Sequence, residues 1–334
     1  MQRCEIDKSI ERVVLKDMSF PLGVYPIEDL EPCQGYTVDF ESADGGEASG
    51  DWEEWPDRYV LDIVLTADRL NTLCRALFAM LPGRIYPILD VIGNDAYREI
   101  DPYISYDLIG LDRFLEAYLR YRPFFLEDGL TGFGAMCDDP FLYIFVDEHK
   151  IVTVRAQPEY KERIEKLLHG MGLKETEQPA GADSAAHEHR TVLLPPEKNP
   201  DALTPEEVIE RLRDDWKLVL NIDSESNLDD QGNDLGVTAW RCIVRCFSGT
   251  PLEARYAEIL LHASSFARAE DTCQEALATL LGVDRDQDAI LDSMLLFADR
   301  LSPEQFAEAA RRAGKKPGSR VSDGTVVSSV LLDS

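Results

Sequence analysis

The chain has 334 residues with 34 Lys and Arg against 63 Asp and Glu, a formal charge of -29, and length enough for two hydrophobic cores. A field of that sign repels phosphate backbones and anionic lipid, so nucleic acid is not the expected partner and a basic protein or a divalent cation fits better. No uncharged run reaches the ~18–20 residues of a membrane span. The first eight residues mix both charges, unlike a secretory signal, and seven cysteines without a CxxC pair point to reduced thiols in the cytoplasm.

Taken in chain order, residues 10–16 and 35–40 have the composition of short strands. Residues 28–57 hold eleven carboxylates and no Lys or Arg. Within them the Gly- and Ser-rich stretch 41–55 reads as an acidic mobile loop. Its end, Trp52, Glu53, Glu54 and Trp55, is a candidate partner-binding segment, with indoles as anchors and carboxylates steering toward a basic groove.

A β-α-β pattern follows. Residues 58–65 are a buried strand, Thr66 is placed to cap a helix, and Leu70, Leu73, Leu77 and Leu81 share one helical face. Pro82-Gly83 stops that helix, and residues 84–92 return as a strand. A second helix is predicted over 111–121. Residues 141–146 and 151–154 form a hairpin around the four-residue turn 147–150. Another helix begins at Gln157-Pro158 and stops at Gly170.

Residues 172–189 lose hydrophobic periodicity and read as a linker, which puts a boundary near residue 180. Thr204-Pro205-Glu206-Glu207 is a capping box that opens a helix. Two strands, 217–222 and 236–247, flank an acidic loop. Residues 252–266, 272–281, 287–300 and 303–313 show helical spacing, and the tail from 314 is expected to be disordered. The fold class is therefore α+β. A mixed sheet with packed helices occupies 1–172, a linker 173–203, and a smaller domain 204–313 combines a helix, a β-hairpin and a C-terminal helical cluster; 314–334 form the tail.

Two places carry candidate chemistry. In the loop 223–234, Asp223, Glu225, Asn227, Asp229 and Asp234 fall at the oxygen-ligand positions of a calcium loop, and calcium or magnesium is the cation such a set takes. Leu228 occupies the position where the tight turn needs Gly, and the flanks are strands. His187-Glu188-His189 sets two imidazoles close together, but within the expected linker and without the i, i+4 spacing of a helical zinc site. It reads as solvated chain, and nothing in the sequence gathers His149, His169 or His262. No nucleophile elbow and no HExxH motif occurs. The sequence thus leads to a non-catalytic protein-interaction or regulatory protein that engages a basic partner through acidic segments. The alternative is a divalent-metal-binding domain or metal-dependent enzyme using the loop 223–234.

Overall fold

The computed structural model describes residues 3–43, 55–248, 253–284, 292–315 and 322–332. It is an α+β protein of two compact units, one made of Met1–Ile92 with Pro102–Asn221, the other of Gly93–Asp101 with Ile222–Ser334. Among the described residues no helix is long and apolar enough to cross a membrane.

The first unit opens with short strands β1 (Val14–Leu15), β2 (Met18–Ser19), β3 (Val24–Pro26), β4 (Gly35–Tyr36) and β5 (Asp39–Glu41). The expected β-α-β follows as β6 (Arg58–Val64), α1 (Ala67–Phe78) and β7 (Arg84–Ile92). Thr66 stands at the N-cap, but its side chain makes no capping bond; the hydroxyl instead accepts from Ser19 N at 3.0 Å. After β8 (Ile100–Ile104) and β9 (Ile109–Gly110) come α2 (Leu111–Arg120), α3 (Arg122–Glu127), β10 (Thr131–Asp138), β11 (Phe141–Val146), β12 (Val152–Ala156) and α4 (Lys161–Gly170). Strand β13 (His187–His189), helix α5 (Pro205–Trp216) and β14 (Val219–Leu220) complete the unit.

Its large sheet runs β14-β8-β7-β10-β11-β12-β6-β4, with β5 also on β6 and β9 on β7. β6 and β7 therefore do not pair, because the antiparallel strands β10, β11 and β12 lie between them. Both faces of β11 are largely buried, as its run of apolar residues requires. Buried aromatic residues form much of the core over this sheet. Phe78 meets Phe114 edge-on at 5.1 Å, Phe125 lies 4.6 Å from Phe133, and Trp216 stacks on Phe114 at 4.9 Å and on Phe125 at 5.7 Å.

Trp216 explains why the units divide after Asn221 and not near residue 180. The capping box at Thr204 and Glu207 forms as expected, but the helix it opens buries Val208, Ile209, Leu212 and Trp216 in the first unit. Residues 173–203 are not a free linker either. They carry β13, paired antiparallel with β3, and bury Leu173, Ala182, Val192 and Leu193. Their aperiodic sequence reflects a chain held mainly by hydrogen bonds, which leave no apolar period to read.

The second unit contains the four-stranded antiparallel sheet β17-β15-β16-β18, made of β15 (Thr238–Ser248), β16 (Glu253–Ala263), β17 (Met294–Leu301) and β18 (Thr325–Leu331), with helices α6 (Phe266–Leu281) and α7 (Pro303–Arg312). The expected helical cluster is thus corrected: 253–263 and 294–301 are strands, and a strand lies in the expected disordered tail. Residues 252, 287–291, 316–321 and 333–334 of those expectations, and 44–54 of the expected acidic loop, lie outside the described residues. The cause is two-sided burial. Ala257, Ile259, Leu261 and Ala263 pack with α6 residues such as Cys273 and Leu277, while Leu260 packs with Phe306 and Ala310 of α7. A strand apolar on both faces shows no alternation and, when rich in Ala, Leu and Glu, imitates a helix.

Replacing the fully buried Trp216 by Ala is expected to destabilise the first unit by about 3–5 kcal/mol, read from urea unfolding. In the second unit, His262 is 6% exposed and its Nδ1 has no hydrogen-bond partner. Burial holds its pKa below the ordinary 6.5. The unfolded chain therefore takes up a proton that the folded chain refuses, and stability falls as pH drops below about 6.5. A His262→Leu variant should lose less stability than the parent between pH 7 and 5; equal losses would refute the assignment.

Candidate metal centre

The turn between β11 and β12 is closed by Asp147 N donating to Ile151 O at 3.0 Å and Lys150 N donating to Asp147 O at 3.1 Å. Asp147 Oδ1 accepts from Ile151 N at 2.8 Å. Lys150 has a left-handed backbone, φ 66°, and sends its ammonium inward to the Thr131 carbonyl. Burial lowers that ammonium's pKa to about 8 against the pull of Asp128, Asp147, Glu148 and Glu127. The turn is therefore pinned from both sides, and it presents His149 at a fixed place.

His187 and His189 come from β13. Residues two apart on a strand project from the same face, so the spacing that fails for a helix is the right one here. Glu188 between them accepts from Tyr25 Oη at 2.8 Å. The strand is set by Ile27 N donating to Ala186 O at 2.9 Å and Arg190 N donating to Gly23 O at 2.8 Å. Just beyond it, the buried Asp128 carboxylate accepts from Val192 N at 3.0 Å and Thr191 Oγ1 at 2.9 Å.

These elements bring three imidazoles together. Ring centroids are 4.8 Å apart for His149 and His187, and 4.9 Å for each of the other two pairs. Each ring offers a nitrogen within 4.8 Å of the others, and Nε2 of His149 lies 3.0 Å from Nε2 of His187. Two nitrogens bound to one zinc at about 2.0–2.1 Å in tetrahedral geometry stand roughly 3.4 Å apart. The His149 and His187 nitrogens thus need only spread slightly to share an ion, with a His189 nitrogen within 4.8 Å of both.

The other ring nitrogens have oxygen neighbours. Nδ1 of His187 is 2.8 Å from Ala185 O, and Nδ1 of His189 is 2.6 Å from Gly129 O. Nδ1 of His149 lies 3.3 Å from Glu148 Oε1 and 3.6 Å from Asp147 Oδ2. Oxygen acceptors at Nδ1 favour the proton there, the arrangement that orients ligating histidines, and the proton shared in the His149 Nε2–His187 Nε2 hydrogen bond must leave before both lone pairs can face a metal. Burial presses the His149 pKa down, but the hydrogen bond and charge of Asp147, with Glu148 and Asp183, outweigh it and leave the net value raised. For His189 burial dominates, and with the neighbouring imidazoles it lowers the pKa against the Gly129 carbonyl.

The residues singled out in the acidic loop do not converge. Asp223 Oδ1 accepts from Glu225 N, Asp229 Oδ1 from Gln231 N and Asn233 N, and Asp234 Oδ1 from Gly236 N. Asn227 is 3% exposed, donates to Gly236 O and Thr238 Oγ1, and accepts from Arg300 Nη1. These side chains cap the backbone of their own loop, and the metal-capable groups found among the described residues include none of them. Trp52, Glu53 and Glu54 lie outside the described residues. Trp55 is half-buried and turns onto its own protein, 5.4 Å from Phe141 and 6.0 Å from Tyr143 with the Arg58 and Arg155 guanidiniums over it. Sequence reasoning missed His149, whose 38-residue separation from His187 leaves no local signal, and set His187 and His189 aside because they lie in the expected linker and lack helical i, i+4 spacing.

Comparison of the chain with family models, with curated proteins and with solved structures finds no match. The geometry of the site alone therefore carries the functional argument.

That geometry depends on Gly129. A Cβ there would lie 1.9 Å from Gly23 O, and one on Gly23 would lie 2.1 Å from Gly129 N. Gly129→Ala must push the β3 segment away and shift the carbonyl that orients His189. It is expected to destabilise the first unit in urea unfolding and to weaken any metal binding about 10–100-fold, as loss of an orienting partner does.

Proposed function

We propose that this protein binds a transition-metal ion of the zinc class through His149, His187 and His189. The observation that supports this reading is the convergence of three imidazoles from two separate chain segments, each with its Nδ1 beside an oxygen. Imidazole nitrogen suits zinc, copper, nickel and iron, whereas calcium and magnesium take oxygen ligands. Three neutral ligands leave the dipositive charge of the ion intact and a fourth tetrahedral position open to water or an exchangeable ligand. Asp147, Glu148 and Asp183, whose charges act on His149, make the surroundings attractive to a cation.

This reading shares a metal with the alternative drawn from the sequence but moves it from the loop 223–234 to the histidines. The interaction reading, a regulatory protein engaging a basic partner through acidic segments, takes its anchor from Trp52, Glu53, Glu54 and Trp55, of which only Trp55 is described, and the inward packing of Trp55 gives it no support.

Isothermal calorimetry with zinc, and cobalt absorption as a report of tetrahedral nitrogen ligation, test the proposal. One equivalent is expected to bind, while calcium and magnesium give no heat. His189→Ala should weaken binding by at least about 10-fold, on the scale that even orienting groups command. Absence of zinc heat at millimolar concentration would overturn it.

A further inference from the structure

The ligands are divided unevenly between two parts of the first unit. His149 belongs to the turn of a hairpin inside the large sheet. His187 and His189 belong to a strap, residues 181–192, outside that sheet. The strap's strand β13 pairs only with β3, three residues against three, and a two-stranded ribbon of that size is not stable by itself. It packs on a small apolar cluster of Met18, Phe20, Val24, Val64 and Ala182. Ala182 is the only residue that the strap contributes to the buried part of this cluster. Apart from the buried Val192 at its end, the strap's other attachments are polar: the Gly23–Arg190–Gly129 backbone contacts and the Asp128 bonds at Thr191 and Val192.

A metal held by two histidines of the strap and one of the sheet exists only while the strap is docked. Resting on the metal reading above, we propose that the ion acts as a clasp: its binding fastens residues 181–192, and with them β3, to the hairpin turn of the large sheet, and its removal frees them to open locally. The physical basis is linkage, since a ligand that binds the docked state and not the open one lowers the opening equilibrium by the factor 1 + [M]/Kd. At metal a hundred times above Kd the factor is about 100, and binding to the two strap histidines in the open state would make it smaller.

Amide hydrogen exchange on the full chain, with zinc and then with chelator, reads this directly. The reporters are Ile27 N, which donates to Ala186 O, and Arg190 N, which donates to Gly23 O; amides of β12 serve as the reference. With zinc at saturation, exchange at the two reporters is expected to slow by at least about 10-fold relative to chelator, with β12 unchanged. His149→Ala, which removes the sheet's ligand and leaves both on the strap, should abolish the zinc effect; the parent protein with and without zinc decides the matter if that variant does not fold. Calorimetry on the same samples separates the two claims. Zinc bound at one equivalent with unchanged reporter exchange overturns the clasp and leaves the metal reading standing, whereas no binding overturns both.

Discussion

Gly23 and Gly129 approach so closely that the backbone of one fills the space a side chain would need on the other. Around this contact three chain segments lock together. Glu127 receives Gly23 N at its carbonyl and pairs its carboxylate with Arg12 at 2.7 Å and with Leu22 N at 2.9 Å. Gly129 N donates to Arg190 O, and its carbonyl meets His189 Nδ1. Residues beside 23, 129 and 190 are thus brought within hydrogen-bonding distance by backbone alone, and the strand bearing His187 and His189 is placed against the hairpin turn without needing a large apolar face.

Electrostatics completes that arrangement. The turn beside His149 carries two carboxylates, and the buried Lys150 ammonium next to it feels four. His149 Nε2 and His187 Nε2 share a hydrogen bond at 3.0 Å, so a proton lies where a cation would have to replace it. The cluster therefore concentrates, in one half-exposed spot, both the ligands that a dipositive ion requires and the negative surroundings that attract it.

The second unit shows a different use of charge. Arg300 is 3% exposed, donates to the Asp95 carboxylate at 2.9 Å and to Asn227 and Leu228 of the acidic loop. Asp299, beside it in sequence, is pushed up to about 6 by burial and by the nearby Asp101 and Asp95 charges. The loop whose oxygen spacing resembles a calcium site is accordingly organised by an arginine and by its own backbone.

Local patterns were legible where one physical cue acted over a few residues. The amphipathic spacing of α1, the Pro-led capping box of α5, and the hairpin flanking residues 147–150 all follow from periodicity, caps and turn chemistry. Strands β16 and β17 were not legible, because burial on both faces erases the alternation that marks a strand. By itself the sequence determined an acidic α+β chain and the His-x-His pair. Only the tertiary structure decided that this pair lies on a strand, that the strand docks through Gly23 and Gly129, and that His149 meets it from 38 residues away. Contacts between distant segments depend on which backbones can approach, and that is a property of the packed chain, not of any short window along it.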